Sequence, residues 1–131
     1  MAAQPTSMRS DLGRVRGLGS ARHGAGHWWA QRLTAVALVP LVLWFTASVI
    51  DLAGAGHGAV RAWLADPVVA VAVVLLLVAL FHHTQLGLQV VIEDYVHAEW
   101  VRVSAIVLVK FAAIAVAAAS VFAVLKIAFT G

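Results

Sequence analysis

Three long apolar runs constrain this chain more than any other feature of its sequence. They cover about residues 28–50, 67–93 and 100–128, and a helix that crosses a bilayer core needs about 20 such residues. Of the 131 residues, 63% are hydrophobic and only 11% are charged, whereas a soluble domain is about 25% charged. The sequence therefore predicts an all-α membrane protein with three transmembrane helices.

Local signals mark the ends of these runs. The pair Trp28-Trp29 opens the first run, as is typical of aromatic side chains at the membrane surface. Asp66 followed by Pro67 opens the second run as an N-cap and first helical residue. Pro40 falls inside the first run and predicts a kink. Residues 51–65, rich in glycine and alanine, predict a loop.

The basic residues predict the orientation of the chain. If the N-terminus is cytoplasmic, only Arg61 and Lys126 lie on the far side, and Lys110 lies within the third run. The cytoplasmic side then carries six basic residues: Arg9, Arg14, Arg16, Arg22, Arg32 and Arg102. This asymmetry predicts a cytoplasmic N-terminus and a periplasmic C-terminus. It also favours membrane orientation over nucleic-acid binding as the reason for the net charge of +3.

The prediction divides the chain into a cytoplasmic N-terminal segment, residues 1–26, and a three-helix transmembrane domain, residues 27–131. The first segment bears arginine and is nearly free of acids, so a transit peptide is an open alternative. The absence of cysteine excludes disulfides, thiolate-held metal clusters and covalent haem attachment.

The second run ends in the polar stretch FHHTQLGLQVVIEDY. On a helix, His83, Gly87 and Asp94 share one face, and His83 lies about 16 Å before Asp94, inside the hydrocarbon. His82 points about 100° away. The side chains that share its face are Leu86, Gln89 and Glu93.

Ionisable groups at such a depth usually have a task. A neutral imidazole can bind haem iron, and a glycine one turn further lets a macrocycle or a helix approach. A proton relay or a hydrogen bond to a neighbouring helix are the alternatives, and helical spacing alone does not choose between His82 and His83. On spacing alone, Tyr95 is an interfacial anchor.

These residues resemble a known family. The motif H-x3-G at residues 83–87, followed by Asp94-Tyr95, resembles the hydrophobic membrane anchor of succinate dehydrogenase (respiratory complex II). LGSARHGAGHWWAQRLTAVALVPL at residues 18–41 and LGLQVVIEDYVH at residues 86–97 are similar to that anchor protein in alphaproteobacteria.

The resemblance implies roles for four residues. His83 would be an axial ligand of the iron of a non-covalent haem b, with the second axial histidine supplied by a partner anchor protein of the cytochrome b556 type. Tyr95 would donate a hydrogen bond to a ubiquinone carbonyl, and Asp94 would help to arrange that pocket. Arg32 would lie near the haem propionates.

The resemblance also implies an assembly. An iron–sulfur subunit and a flavoprotein subunit would sit on the cytoplasmic side of the bacterial inner membrane, and this multi-pass, lipid-embedded chain would contribute no catalytic residue to succinate oxidation. A proton-coupled transporter, a scaffold that binds nothing, and the related fumarate reductase anchor are the alternatives.

Overall fold

The structure, a computed structural model, describes residues 10–17 and 24–130. Every regular element in these residues is an α-helix. In chain order they are α1 (Asp11–Val15), α2 (Gly24–Asp51), α3 (His57–Ala65), α4 (Pro67–Tyr95) and α5 (Glu99–Thr130). Within this part of the chain, α2, α4 and α5 are long and apolar enough to cross a membrane. The predicted all-α architecture with three transmembrane helices is confirmed; Arg9 and Arg22 lie outside the described residues.

The start of α2 carries the paired tryptophans. The rings of Trp28 and Trp29 meet edge to face, with their centroids 5.0 Å apart and their planes at 84°. The helix then continues on both sides of Pro40 to Asp51. The aromatic pair therefore stands at the helix entrance, where an amphipathic ring can lie between headgroups and hydrocarbon.

The prediction of a loop over residues 51–65 is wrong for most of that range. A turn follows α2, with Gly54 at a φ of +83°, and α3 then occupies His57–Ala65. The ring of Trp63 stacks on Trp44 of α2, with 5.9 Å between centroids, and lies 6.2 Å from Phe45. This packing stabilises a short helix whose alanines already favour helical backbone, and it outweighs the glycines that suggested a loop.

The start of α4 is the one predicted from sequence. The Oδ1 atom of Asp66 accepts hydrogen bonds from the backbone N–H groups of Val68 at 2.9 Å and Val69 at 3.1 Å. Pro67 takes the first helical position, where its missing N–H costs nothing. The N-cap prediction is confirmed.

The central helix is α4, because it packs against α2, α3 and α5. The buried core is small and lies near α3, where Ala70, Val73 and Val124 pack together. Most other large apolar side chains of the three long helices are exposed. Lipid tails or other membrane helices can cover such surface, because helices in a bilayer need not bury apolar area against one another.

Candidate functional site

His83 lies where α4 packs against α2. Its side chain is half-buried, and its Nδ1 atom is 3.0 Å from Oγ1 of Thr34 on α2. A hydrogen bond to a neighbouring helix was one of the alternatives for this residue, and the structure contains it. The bond engages only one ring nitrogen, so it leaves Nε2 available for a second partner.

Gly87 lies on the same side of α4, one turn beyond His83. A Cβ atom at Gly87 would come within 3.7 Å of Nε2 of Gln31, which is an ordinary van der Waals distance. The side chain of Gln31 therefore covers Gly87 in this chain. We name the set formed by Gln31, Thr34, His83 and Gly87 the α2–α4 seam.

The contacts in the seam also show that α2 and α4 run in opposite directions. Thr34 and Gln31 of α2 contact successive turns of α4 in reverse order, so the start of α2 lies beside the end of α4. The antiparallel packing of α2 and α4 therefore brings Arg32, near the start of α2, to the same end of the molecule as Asp94 and Tyr95, at the end of α4.

His82 points to a different environment. Its exposed side chain lines a groove of about 570 Å³ that we name the polar groove. The groove is lined by residues of α2, α4 and α5: Gly24, His27, His82, Gln85, Leu86, Gln89, Glu93 and Lys110. The predicted grouping of His82 with Leu86, Gln89 and Glu93 on one face is confirmed.

Three polar side chains of α4 in this groove, those of Gln85, Gln89 and Glu93, bond to one another. Gln85 Nε2 donates to Gln89 Oε1 at 3.2 Å, and Gln89 Nε2 donates to Glu93 Oε1 at 2.8 Å. These i,i+4 bonds follow the helix surface. Over residues 10–17 and 24–130, His82 has no hydrogen-bond partner. The groove thus offers polar groups but does not hold the His82 ring in one orientation.

Asp94 and Tyr95 lie at the last turn of α4, and both are exposed. Tyr95 has 78% of its surface accessible, and neither side chain lines the polar groove. The structure therefore places the predicted quinone-binding pair at an exposed helix end.

Arg32 is exposed on α2, with its Cζ atom 5.4 Å from the ring centroid of Trp28. Arg32 and Thr34 are two positions apart in the sequence, which corresponds to a rotation of about 200° around the helix. Arg32 therefore points away from His83 across α2. The structure brings His83 and Gly87 together but does not add Arg32 to them.

The predicted site did not include the residues of α2 that face α4. His27, Gln31 and Thr34 follow the spacing i, i+4, i+7, which places them on one helix face. Among the described residues, the buried atoms His27 Nε2 and Gln31 Oε1 have no hydrogen-bond partner. A polar stripe at this spacing inside an apolar run is the signal that could have found them.

Comparisons with known proteins identify the family of this chain. The family described as succinate dehydrogenase/fumarate reductase transmembrane subunit matches residues 6–123. A succinate dehydrogenase hydrophobic membrane anchor subunit from Rickettsia bellii is 30% identical over 116 residues, which are 88% of this chain and 93% of that protein. The protein of the same name from Rickettsia conorii is 28% identical over 103 residues, 78% of this chain and 82% of the relative.

A succinate dehydrogenase membrane anchor subunit from Reclinomonas americana is 30% identical over 96 residues, 71% of this chain and 80% of that protein. No solved structure matches at a significant level. The resemblance to the alphaproteobacterial membrane anchor is confirmed. This chain belongs to the family of succinate dehydrogenase/fumarate reductase transmembrane subunits.

Proposed function

We propose that this chain is the membrane anchor of a succinate:ubiquinone oxidoreductase that holds haem b with a partner anchor protein and forms part of the ubiquinone site. The observation that carries the proposal is the placement of His83. Its ring is held by a hydrogen bond from one nitrogen inside the α2–α4 seam, about three helical turns before Asp94 and Tyr95 at the end of α4. Membership of the family supports the same assignment.

The donor chemistry of the seam fits an axial haem ligand. Neutral imidazole is a common ligand of haem iron, and ligating histidines generally use their second ring nitrogen to bond a nearby acceptor. His83 has that second bond to Thr34. When bound, haem b supplies a reversible one-electron store close to the quinone site. The partner anchor protein, of the cytochrome b556 type, would supply the second histidine to the iron, and Arg32 is the cation proposed for the propionates.

The proposed quinone site lies at the end of α4. The hydroxyl of Tyr95 donates a hydrogen bond to a ubiquinone carbonyl, where it stabilises the negative charge that develops as the quinone is reduced. Asp94 orients groups around that carbonyl. Both side chains are exposed in this chain, which suits a pocket completed by the iron–sulfur protein and the partner anchor.

The proposed topology follows from charge. Six basic residues would lie on the side of the membrane that holds the N-terminus, and two would lie on the opposite side. This asymmetry favours a cytoplasmic N-terminus in a bacterial inner membrane. The flavoprotein and iron–sulfur subunits then sit on the cytoplasmic face and carry out succinate oxidation. This chain provides anchorage, the shared haem and part of the quinone pocket.

The purified membrane complex tests this function. A reduced-minus-oxidised spectrum is expected to contain the bands of a b-type haem, and succinate-dependent quinone reduction is expected to co-purify with the chain. A preparation that transports a substrate in liposomes but binds no haem would support a proton-coupled carrier instead. Comparing succinate oxidation with fumarate reduction measures the preferred direction of electron flow.

A further inference from the structure

The hydroxyl group of Thr34 makes three short contacts. Its Oγ1 lies 2.7 Å from the carbonyl oxygen of Ala30, 3.1 Å from that of Gln31 and 3.0 Å from Nδ1 of His83. The two carbonyl oxygens can only accept hydrogen bonds, whereas a hydroxyl has one hydrogen and two lone pairs. The hydrogen is therefore used by the backbone of α2, with Ala30 at the shorter distance, and a lone pair faces His83.

A lone pair at this position selects one tautomer of His83. The Nδ1 atom must carry the hydrogen in order to donate it to Thr34, and a neutral imidazole carries only one such hydrogen. The Nε2 atom then bears an unprotonated lone pair, which is the form that binds a metal. The bond also limits rotation of the ring, because one of its atoms is tied to a different helix.

We propose that Thr34 is the positioning residue for the haem ligand: it accepts the Nδ1 hydrogen of His83 and so presents Nε2 to the iron. This proposal rests on the proposed haem-binding function and names the atom and the supporting group that this chain supplies. A hydrogen bond of this kind orients a ligand and raises its basicity, and its loss typically lowers metal affinity by about 10–100-fold.

The same contact distinguishes two neighbouring histidines. His83 has an acceptor on the adjacent helix at 3.0 Å. His82, in the part of the chain for which the structure gives positions, has no such group and lies exposed in the polar groove. The identity of the ligand is therefore decided by α2, through Thr34, as well as by the position of the histidine on α4.

The test replaces the hydroxyl while keeping the shape of the side chain. Thr34→Val removes the hydroxyl that accepts the hydrogen bond, whereas Thr34→Ser keeps a hydroxyl at this position. As a matched control, Thr46→Val makes the same substitution at an exposed position of the same helix. Each variant is purified as the whole complex. The readouts are haem bound per complex, the reduced-minus-oxidised spectrum and the midpoint potential of the haem.

Thr34→Val is expected to weaken haem retention by about 10–100-fold and to raise the midpoint potential, because a less basic ligand stabilises ferric iron less. Thr34→Ser and Thr46→Val are expected to match the unmodified complex. If Thr34→Val prevents assembly, Thr34→Ala is measured instead, and haem is counted only in complexes that contain all subunits. An unchanged potential and haem content in the hydroxyl-free variants would overturn the proposal.

A parallel measurement on His83→Ala separates this inference from the proposed function. Loss of haem in His83→Ala together with a normal Thr34→Val complex would reject the role of Thr34 alone. Normal haem in His83→Ala would reject both the ligand assignment and the inference built on it. A potential shift in Thr34→Val that Thr34→Ser reverses supports both.

Discussion

The two adjacent histidines of α4 occupy different surroundings. His83 is half-buried in the α2–α4 seam, with Nδ1 bonded to a side chain of another helix. His82 is exposed in the polar groove, beside glutamines that bond to one another along α4. Successive residues of a helix diverge by about 100°. A rotation of one residue therefore separates a ring that is hydrogen-bonded to another helix from an exposed ring with no hydrogen-bond partner among the described residues.

This difference shows what makes a side chain suitable as a ligand. Both residues have the same chemistry and nearly the same depth along α4, so composition and depth do not separate them. The seam adds an acceptor for one nitrogen and restricts the ring, which are the features that support a metal ligand. The groove adds only polarity. Four predictions test the contrast, in order of decreasing effect.

The largest effect is expected at the seam histidine. His83→Ala removes the proposed axial ligand, so the purified complex is expected to lose the b-type spectrum or to show a strongly altered one. His82→Ala is the matched control and is expected to keep both the spectrum and the haem content. Spectroscopy of the two purified complexes measures this. Loss of the b-type spectrum in His82→Ala with a normal spectrum in His83→Ala would show that His82 is the ligand.

The next effect concerns the exposed end of α4. Tyr95→Phe removes the proposed hydrogen-bond donor to the quinone, and loss of one such donor typically lowers the rate by about 10²–10³-fold. Quinone reduction is expected to fall by that order while succinate oxidation with an artificial acceptor stays near its normal rate. Steady-state assays with the two acceptors measure this. Equal loss of both activities would show that Tyr95 serves assembly rather than quinone binding.

A third prediction concerns packing across the seam. Gly87→Ala adds a methyl group at 3.7 Å from Gln31 Nε2, an ordinary distance, so this variant is expected to assemble and retain haem. Gly87→Leu needs space that Gln31 and α2 occupy, and overpacking of this kind costs about 1–3 kcal/mol. A lowered melting temperature and weaker haem retention in Gly87→Leu alone are expected. Haem loss in Gly87→Ala would instead show that the macrocycle itself contacts this glycine.

The smallest effect is expected in the polar groove. Gln89→Leu removes the bonds to Gln85 and Glu93, each worth about 1 kcal/mol or less on an accessible surface. A small decrease in thermal stability with an unchanged haem spectrum is expected, as followed by thermal unfolding of the complex. A shifted haem potential in Gln89→Leu would show that the groove and the seam are coupled.

The features that could be predicted from the sequence are those that depend on nearby residues. The apolar runs define the three long helices, and Asp66 with Pro67 marks the start of α4 because capping depends on neighbouring residues. Helical spacing also placed His83 and Gly87 on one side of α4 and His82 on another, since that depends only on rotation per residue.

What sequence reasoning missed depends on contacts between helices. Helix α3 is stabilised by the stacking of Trp63 on Trp44, and composition does not reveal this contact. Thr34 gains its importance from a partner 49 residues away in the chain. The helices are apolar around most of their surface, so hydropathy does not show which side faces another helix.

The central claim is that His83 binds the haem iron through Nε2 while Thr34 holds Nδ1. A structure of the assembled complex that resolves α2 and α4 around the haem tests it most directly. The account predicts iron on Nε2 of His83, with Oγ1 of Thr34 at hydrogen-bond distance from Nδ1. Iron on His82, or a His83 ring turned toward lipid, would contradict it.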